Sequence, residues 1–485
     1  MSLMQRGMPA HRTFVIPRRW TTAVGSQFRS RPRNRRTLAA VYARRLRNSS
    51  TPSLVSIRHH TLAQESVRAG KNNVWSLLTL AWAAYYFAVL TFGRYPQYER
   101  LVVWVGGATM GMLTLMAFLG RPSGIPTEAL TLLALLLWTL TGTISVMDWA
   151  SFLKFFKLLA EMVFVVAAVG LVLRHSGKMR FFYSAFLAVA VFNVLFGVQR
   201  ISVGQLSPDE FVRDAGLTGN ANALGFFSFM GVLGAMALWG EMRIAWFLKA
   251  VVLSGATLSF YGVLVSGSMG AFLVLPLALV LWAGMCYRGS SPRAWKVLLT
   301  SSMVVIMTFC VSWYVIEHTH VGDRMRRAAT GNESSAAGRM SLSIVGLRLF
   351  AQNPLTGVGL GQFRVASQTG ANYTHNEWTE LLATTGLVGL VIYLLTYVLA
   401  WMRLTRSIRL TRDPQVRYYG NLARMILIIL VVSGMIFRPN FLSFDTVFLL
   451  AVAVGTGQWA ERRTHFVRRG IRRYPAEVGI PLSSH

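Results

Sequence analysis

From Val74 onward the chain alternates between apolar runs and shorter polar breaks. The runs are about 18–22 residues long, enough for an α-helix to cross a hydrocarbon core with its backbone hydrogen bonds satisfied internally. The pattern predicts about twelve such spans, at roughly 74–92, 101–119, 129–147, 152–173, 181–199, 221–239, 244–266, 269–287, 295–316, 377–401, 422–438 and 441–459. The boundaries near 199, 267 and 440 are the least sharply marked. The expected fold class is an all-α polytopic membrane protein. Two breaks are long enough to hold chemistry: roughly 200–220, and a large loop at 317–376 between helices 9 and 10.

Composition agrees with a membrane protein. Hydrophobic residues make up 53% of the 485 and charged residues 14%, which excludes a soluble domain. The formal charge of +31 would fit a nucleic-acid partner, but its distribution points elsewhere. If the amino-terminal tail is cytoplasmic, that side collects about 35 of the 49 Lys and Arg. An even number of spans returns the Arg-rich stretch from Arg462 to Arg473 to the same side. No nucleic-acid motif is present, so the charge reads as topology and attraction to anionic membrane lipids. Cys286 and Cys310 lie in apolar spans and act as small hydrophobes.

Three regions follow. Residues 1–73 hold many basic residues, the single acid Glu65 and no apolar core of a secretory signal, and read as a disordered cytoplasmic tail. An organellar transit peptide or an upstream-shifted start are the alternatives. Residues 74–460 form the membrane domain, and 461–485 a second basic cytoplasmic tail.

The large loop has structure of its own. Residues Arg339 to Gln352 are apolar at helical spacing and stop at Asn353-Pro354, predicting a short amphipathic helix against the outer membrane face. Gly357-Val-Gly-Leu-Gly361 follows, a flexible turn suited to tight backbone packing, with phosphate cradling as the second use. The loop carries Arg324, Arg326, Arg327, Arg339, Arg348 and Arg364 on a side where basic residues are disfavoured. Arginine grips phosphate oxygens through paired hydrogen bonds, so an anionic ligand would account for them. Arg200 and Arg213 of the 200–220 break are candidates for the same work.

The loop closes on Thr374-His375-Asn376-Glu377. Thr374-x-x-Glu377 fits a capping box, which would make His375 the first helical residue of span ten. A helix amino terminus should favour the neutral imidazole, as a general base for a sugar hydroxyl requires. On a continuous helix Thr379, Leu382, Gly386, Gly389 and Tyr393 would lie below the histidine, the glycines about 16 and 21 Å along the axis. That smooth face would admit a neighbouring helix or a polyprenyl tail. Lys157 and Glu161 should pair, Asn193 could bond across helices, and Arg438 could pair with Asp445. His318 and His320 lack a matching set, so neither metal nor cofactor is expected.

These motifs resemble the bacterial O-antigen ligase and polymerase family over roughly residues 75–460. His375-Asn376, nine residues, then Gly386-Leu-Val-Gly389 carries most of the likeness. Arg339 with its helix and Asn353-Pro354-Leu-Thr-Gly-Val-Gly-Leu-Gly-Gln-Phe363 adds to it, as does Arg213-Asp-Ala-Gly216 with Asn220-Ala-Asn222. The resemblance implies a fold like the class C glycosyltransferases in the bacterial inner membrane, both termini cytoplasmic and the site facing the periplasm. It implies metal-independent, inverting transfer from an undecaprenyl-pyrophosphate-linked glycan to lipid A-core, or in a polymerase to another lipid-linked unit. Arg213, Arg339 and His375 would be catalytic; Arg200, Arg348, Arg364, Asn376, Gly386 and Gly389 would bind substrate. Many relatives have Ser-Arg-Gly between spans seven and eight where this chain has Ser268-Met269-Gly270, so Arg200 or Arg364 would substitute. A flippase or transporter for an anionic lipid is the alternative outside the enzyme class.

Overall fold

The computed structural model describes residues 74–92, 98, 100–119, 124–202, 221–240, 245–286, 313–314, 317, 326, 334–436 and 444–473. Every regular element among them is a helix: α1 (Val74–Phe92), α2 (Gly106–Leu119), α3 (Thr127–Thr139), α4 (Trp149–Ser176), α5 (Arg180–Ser202), α6 (Ala221–Trp239), α7 (Trp246–Val265), α8 (Met269–Met285), α9 (Ser334–Gln352), α10 (Phe363–Ser367), α11 (Glu377–Leu410), α12 (Pro414–Ile436) and α13 (Phe444–Arg473). Nine helices among the described residues are long and apolar enough to cross a membrane, and α8 is a shorter apolar one. The protein is therefore an all-α polytopic membrane protein. All but 313–314 of the expected span at 295–316 lies outside the described residues, as do the tail 1–73, Arg213, Arg438, His318 and His320 and the side chain of Asp445.

Apolar composition alone does not say which helices sit inside the bundle. α6 is buried along nearly its whole length, between α5 and α7. α2 and α7 instead present large side chains outward, among them Met112, Leu115, Trp246 and Val251. A helix apolar all round suits either place, because lipid and protein interior are equally apolar. α4 packs along α13, and α11 lies against α3, α12 and α13. Buried aromatics such as Trp82, Tyr86, Phe186 and Phe448 fill the centre.

The polar groups expected to be structural behave as follows. Lys157 and Glu161 pair at 3.6 Å, and Lys157 also sits over the Trp104 ring. Asn193 does not bond across helices: its amide donates to Val189 O, one turn back in α5. An amide in a helix has that carbonyl within reach whatever its neighbours do. The main ionic cluster is one the apolar pattern hides. Glu128, fully buried at the start of α3, accepts from Arg403 of α11 at 3.1 Å and from Gln458 of α13. Arg403 also reaches Glu461.

Candidate functional site

α11 is not one straight helix. Gly386 takes φ 69° and ψ −171°, a conformation essentially reserved for glycine, and divides the element into 377–385 and 387–410. The break leaves backbone groups unpaired on both sides, and other segments take them. Val358 N donates to Ala383 O at 2.8 Å, Gly359 N to Thr384 O at 3.1 Å, and Trp138 Nε1 of α3 to Thr385 O at 3.0 Å. Leu387 N donates to Pro354 O at 2.8 Å. A Cβ on Gly386 would lie 2.2 Å from Leu355 O. The turn after Asn353-Pro354 is thus inserted into the break.

This geometry corrects the reading of the glycines as a smooth substrate face. The space over Gly386 is filled by the backbone of Leu355 and Thr356, and Gly389 faces Thr385 and Trp138. Both glycines serve packing within the protein. The Gly357–Gly361 turn performs the packing role expected of it, with Gly357, Gly359 and Gly361 all at positive φ. Its amides at Val358 and Gly359 are spent on the broken helix and do not face an open anion site.

The break also brings together residues that a continuous helix would separate. Glu377 and Tyr393 are sixteen positions apart, about 24 Å along an unbroken axis. Here the Tyr393 hydroxyl donates to Glu377 Oε1 at 2.6 Å and exchanges a further bond with Tyr397 at 3.0 Å. Glu377 and Glu380 are both buried. Reading Glu377 as part of a capping box missed its bond to Tyr393, and Glu380 was not singled out; the signal that could have found the bond was the pair of tyrosines, Tyr393 and Tyr397, on the same apolar helix.

His375 sits before the helix rather than in its first turn. Asn376 is the N-cap, its side chain accepting from Trp378 N and Thr379 N at 3.0 and 3.2 Å. Thr374 and Asn376 are both cap-type residues, and the backbone geometry selects the second. Consequently the dipole argument for a first-turn histidine does not carry over. His375 adopts φ 61°, unfavourable for a side-chain-bearing residue by about 1–2 kcal/mol. Its neighbours fix the turn. Thr374 N donates to Glu380 Oε2 at 2.8 Å, Thr374 Oγ1 donates to Asn376 O at 2.7 Å, and Thr379 Oγ1 donates to Thr374 Oγ1 at 3.1 Å. The imidazole is half-buried against the Tyr373 ring, with centroids 4.5 Å apart.

The amphipathic helix is longer than expected, running back to Ser334, and crosses this turn. Leu342, Val345 and Leu349 of α9 pack with Phe363 and Ala383, the helical spacing that the sequence showed. A Cβ at Gly346 would lie 2.9 Å from Thr374 Cγ2. Arg339 is seven residues before Gly346, so it shares that face about 10 Å along the axis, and it is half-buried. Arg348, nine residues from Arg339, points about 180° away and is exposed.

Arg364 turns towards the start of α4 instead. There Gln362 Oε1 accepts from Met147 N and Asp148 N, and its Nε2 donates to Asp148 O at 2.9 Å. The Ser151 hydroxyl and amide hold the Asp148 carboxyl below the usual range, helped by the Ala150 amide and the charge of Arg364. Arg326, also in the loop, pairs with Glu317 at 2.8 Å. Ser268 caps α8 and donates to Asn222 Oδ1 at 3.2 Å, joining two of the motif segments. Arg200 lies in the last turn of α5, its side chain outside the described residues. The structure therefore joins His375, Asn376 and the Arg339 helix, places Arg348 on the opposite side of that helix and brings Arg364 near Asp148.

Residues 253–394 match the family model described as O-antigen ligase. The matched stretch runs from α7 past the Gly386 break and holds Arg339, His375 and Asn376; Arg200 and Arg213 precede it. No curated protein matches the chain. The match covers less than a third of the chain; it supports a likeness to the O-antigen ligase family over residues 253–394 and, in general terms, a ligase- or polymerase-type function.

Proposed function

We propose that the protein is an O-antigen ligase of the bacterial inner membrane. It transfers a glycan from undecaprenyl pyrophosphate to a sugar hydroxyl of lipid A-core on the periplasmic face. The observation that carries this reading is the turn at His375. A histidine is held in an unfavourable backbone conformation by buried partners, with the helix of Arg339 laid across it. Strained backbone held by its surroundings clusters at active sites and ligand clamps.

In the proposed reaction His375 takes the proton from the acceptor hydroxyl as its oxygen attacks the anomeric carbon. The bond from that carbon to the pyrophosphate oxygen breaks, the configuration inverts, and undecaprenyl pyrophosphate leaves with the electron pair. Arg339 and Arg213 hold the pyrophosphate and stabilise its charge, and the transfer needs no metal. Pyrophosphate is a good leaving group, so positioning and charge neutralisation carry most of the acceleration. Glu380 and Asn376 act by positioning His375.

The test is transfer by the purified protein from a polyprenyl-pyrophosphate glycan, with and without lipid A-core. Product only with lipid A-core, reduced about 10²–10⁴-fold in His375→Ala, is expected of a general base in a ligase. Longer glycans without lipid A-core would make the protein a polymerase. Intact donor moved across a bilayer, with no new glycosidic bond, would make it a transporter.

A further inference from the structure

A cavity of about 1160 Å³ opens at the end of the bundle opposite His375. α4 fixes the separation: Asp148 caps one end beside Gln362, while Ser176 borders the cavity about 40 Å away along the axis. The walls are apolar, formed by Leu187 and Val191 of α5 and by Val251 and Leu258 of α7, over Tyr419 and Trp459. The mouth is polar and basic, with Lys178, Arg180 and Arg463, and among the described residues no acid lines the cavity.

The mouth is built to receive an anion. Arg463 is already held by Asp413, and this pair fixes the rim. Among the described residues neither Lys178 nor Arg180 pairs with an acid. Three helices start there: α5 at Arg180, α7 at Trp246 and α12 at Pro414. Ala245, before α7, offers no side-chain cap to the first-turn amides. Helix amino termini carry partial positive charge, so they add to the lysine and arginine. Beyond the mouth, α7 exposes Trp246, Phe247, Val251 and Leu253 as a lipid-facing helix does.

We propose that this cleft binds one anionic glycerophospholipid. Its phosphate sits between Lys178 and Arg180, and its acyl chains run along the groove between α5 and α7. The charge at the mouth selects an anionic headgroup, and the apolar walls select a molecule with chains over free phosphate. The ligand would tie the start of α5 to the start of α7. The site lies at the end of the bundle opposite His375 and does not depend on the transfer chemistry.

The test is native mass spectrometry of the full chain after exchange into mixed phosphatidylglycerol and phosphatidylcholine, followed by graded detergent washing. The wild-type protein should keep one phosphatidylglycerol per chain. Lys178→Ala/Arg180→Ala should lose that retention by on the order of tenfold. Ser184→Trp, at an exposed position lining the cleft, should block the chains with both cations in place. Unfolding temperature and monodispersity would establish that each variant folds, and Arg180→Gln alone serves if the double substitution does not. Equal retention of the two lipids, unchanged retention in the variants, or recovery of a polyprenyl phosphate in place of the glycerophospholipid would overturn the proposal.

Discussion

The two ends of the helix bundle are held together by different means. At the His375 end, backbone meets backbone: amides of the 354–361 turn pair with carbonyls of the broken α11, and glycines let the chains approach. At the opposite end, side chains do the work. Glu128, Arg403, Glu461 and Gln458 join α3, α11 and α13, and Arg463 meets Asp413. Long charged side chains can shift and re-pair, whereas a backbone lattice has few alternatives. The difference places the rigid construction where a histidine must be held in a fixed, costly turn, and the adaptable construction where the surface meets charged headgroups.

The comparison can be broken first at Gly386. Alanine there would force its Cβ onto Leu355 O, lose the bonds made by Val358, Gly359 and Leu387, and require a backbone conformation costly for any side chain. The combined loss is about 4 kcal/mol or more. Gly386→Ala should therefore yield little folded protein, read as aggregation on size-exclusion chromatography. Next is Arg403→Ala, which leaves Glu128 buried without its cation and should cost about 3 kcal/mol of stability in detergent, while surviving protein still transfers glycan. Equal loss of activity and stability would mean that the two ends are coupled.

A smaller effect sharpens the contrast. His375→Gly and His375→Ala both remove the imidazole, but glycine accepts φ 61° freely. His375→Gly should be more stable than His375→Ala by about 1 kcal/mol, with transfer reduced about 10²–10⁴-fold in both. Equal stability of the two would remove the case for strain. Smallest is Arg348→Ala, on the exposed face of α9, which should change stability by no more than about 0.5 kcal/mol and leave donor affinity as it was.

Much of this was legible in the sequence, and two of the failures have a common cause. Apolar runs marked the spans because a hydrocarbon core demands a fixed length of helix. Asn353-Pro354 marked the end of α9, and Gly357, Gly359 and Gly361 announced a tight turn. Arg339 and His375 were singled out by residue type, and the structure brings the Arg339 helix to the His375 turn. What periodicity could not show is the break at Gly386, since one glycine in an apolar run is compatible with an unbroken helix. From that error followed the smooth glycine face and the omission of the bond between Glu377 and Tyr393. Which of Thr374 and Asn376 caps the helix was left open because both are cap-type residues; the local backbone gives the cap to Asn376, whose side chain accepts from Trp378 N and Thr379 N.

The account depends on the 354–361 turn staying docked in the broken helix while the enzyme works. Val358→Cys with Ala383→Cys, in a chain freed of Cys286 and Cys310, tests this directly, because Val358 N and Ala383 O are 2.8 Å apart and both side chains belong to the same apolar cluster. The pair should form a disulfide under mild oxidation, and the locked protein should transfer glycan as fast as the reduced one. No cross-link, or a cross-linked protein that is inactive until reduced, would contradict the account.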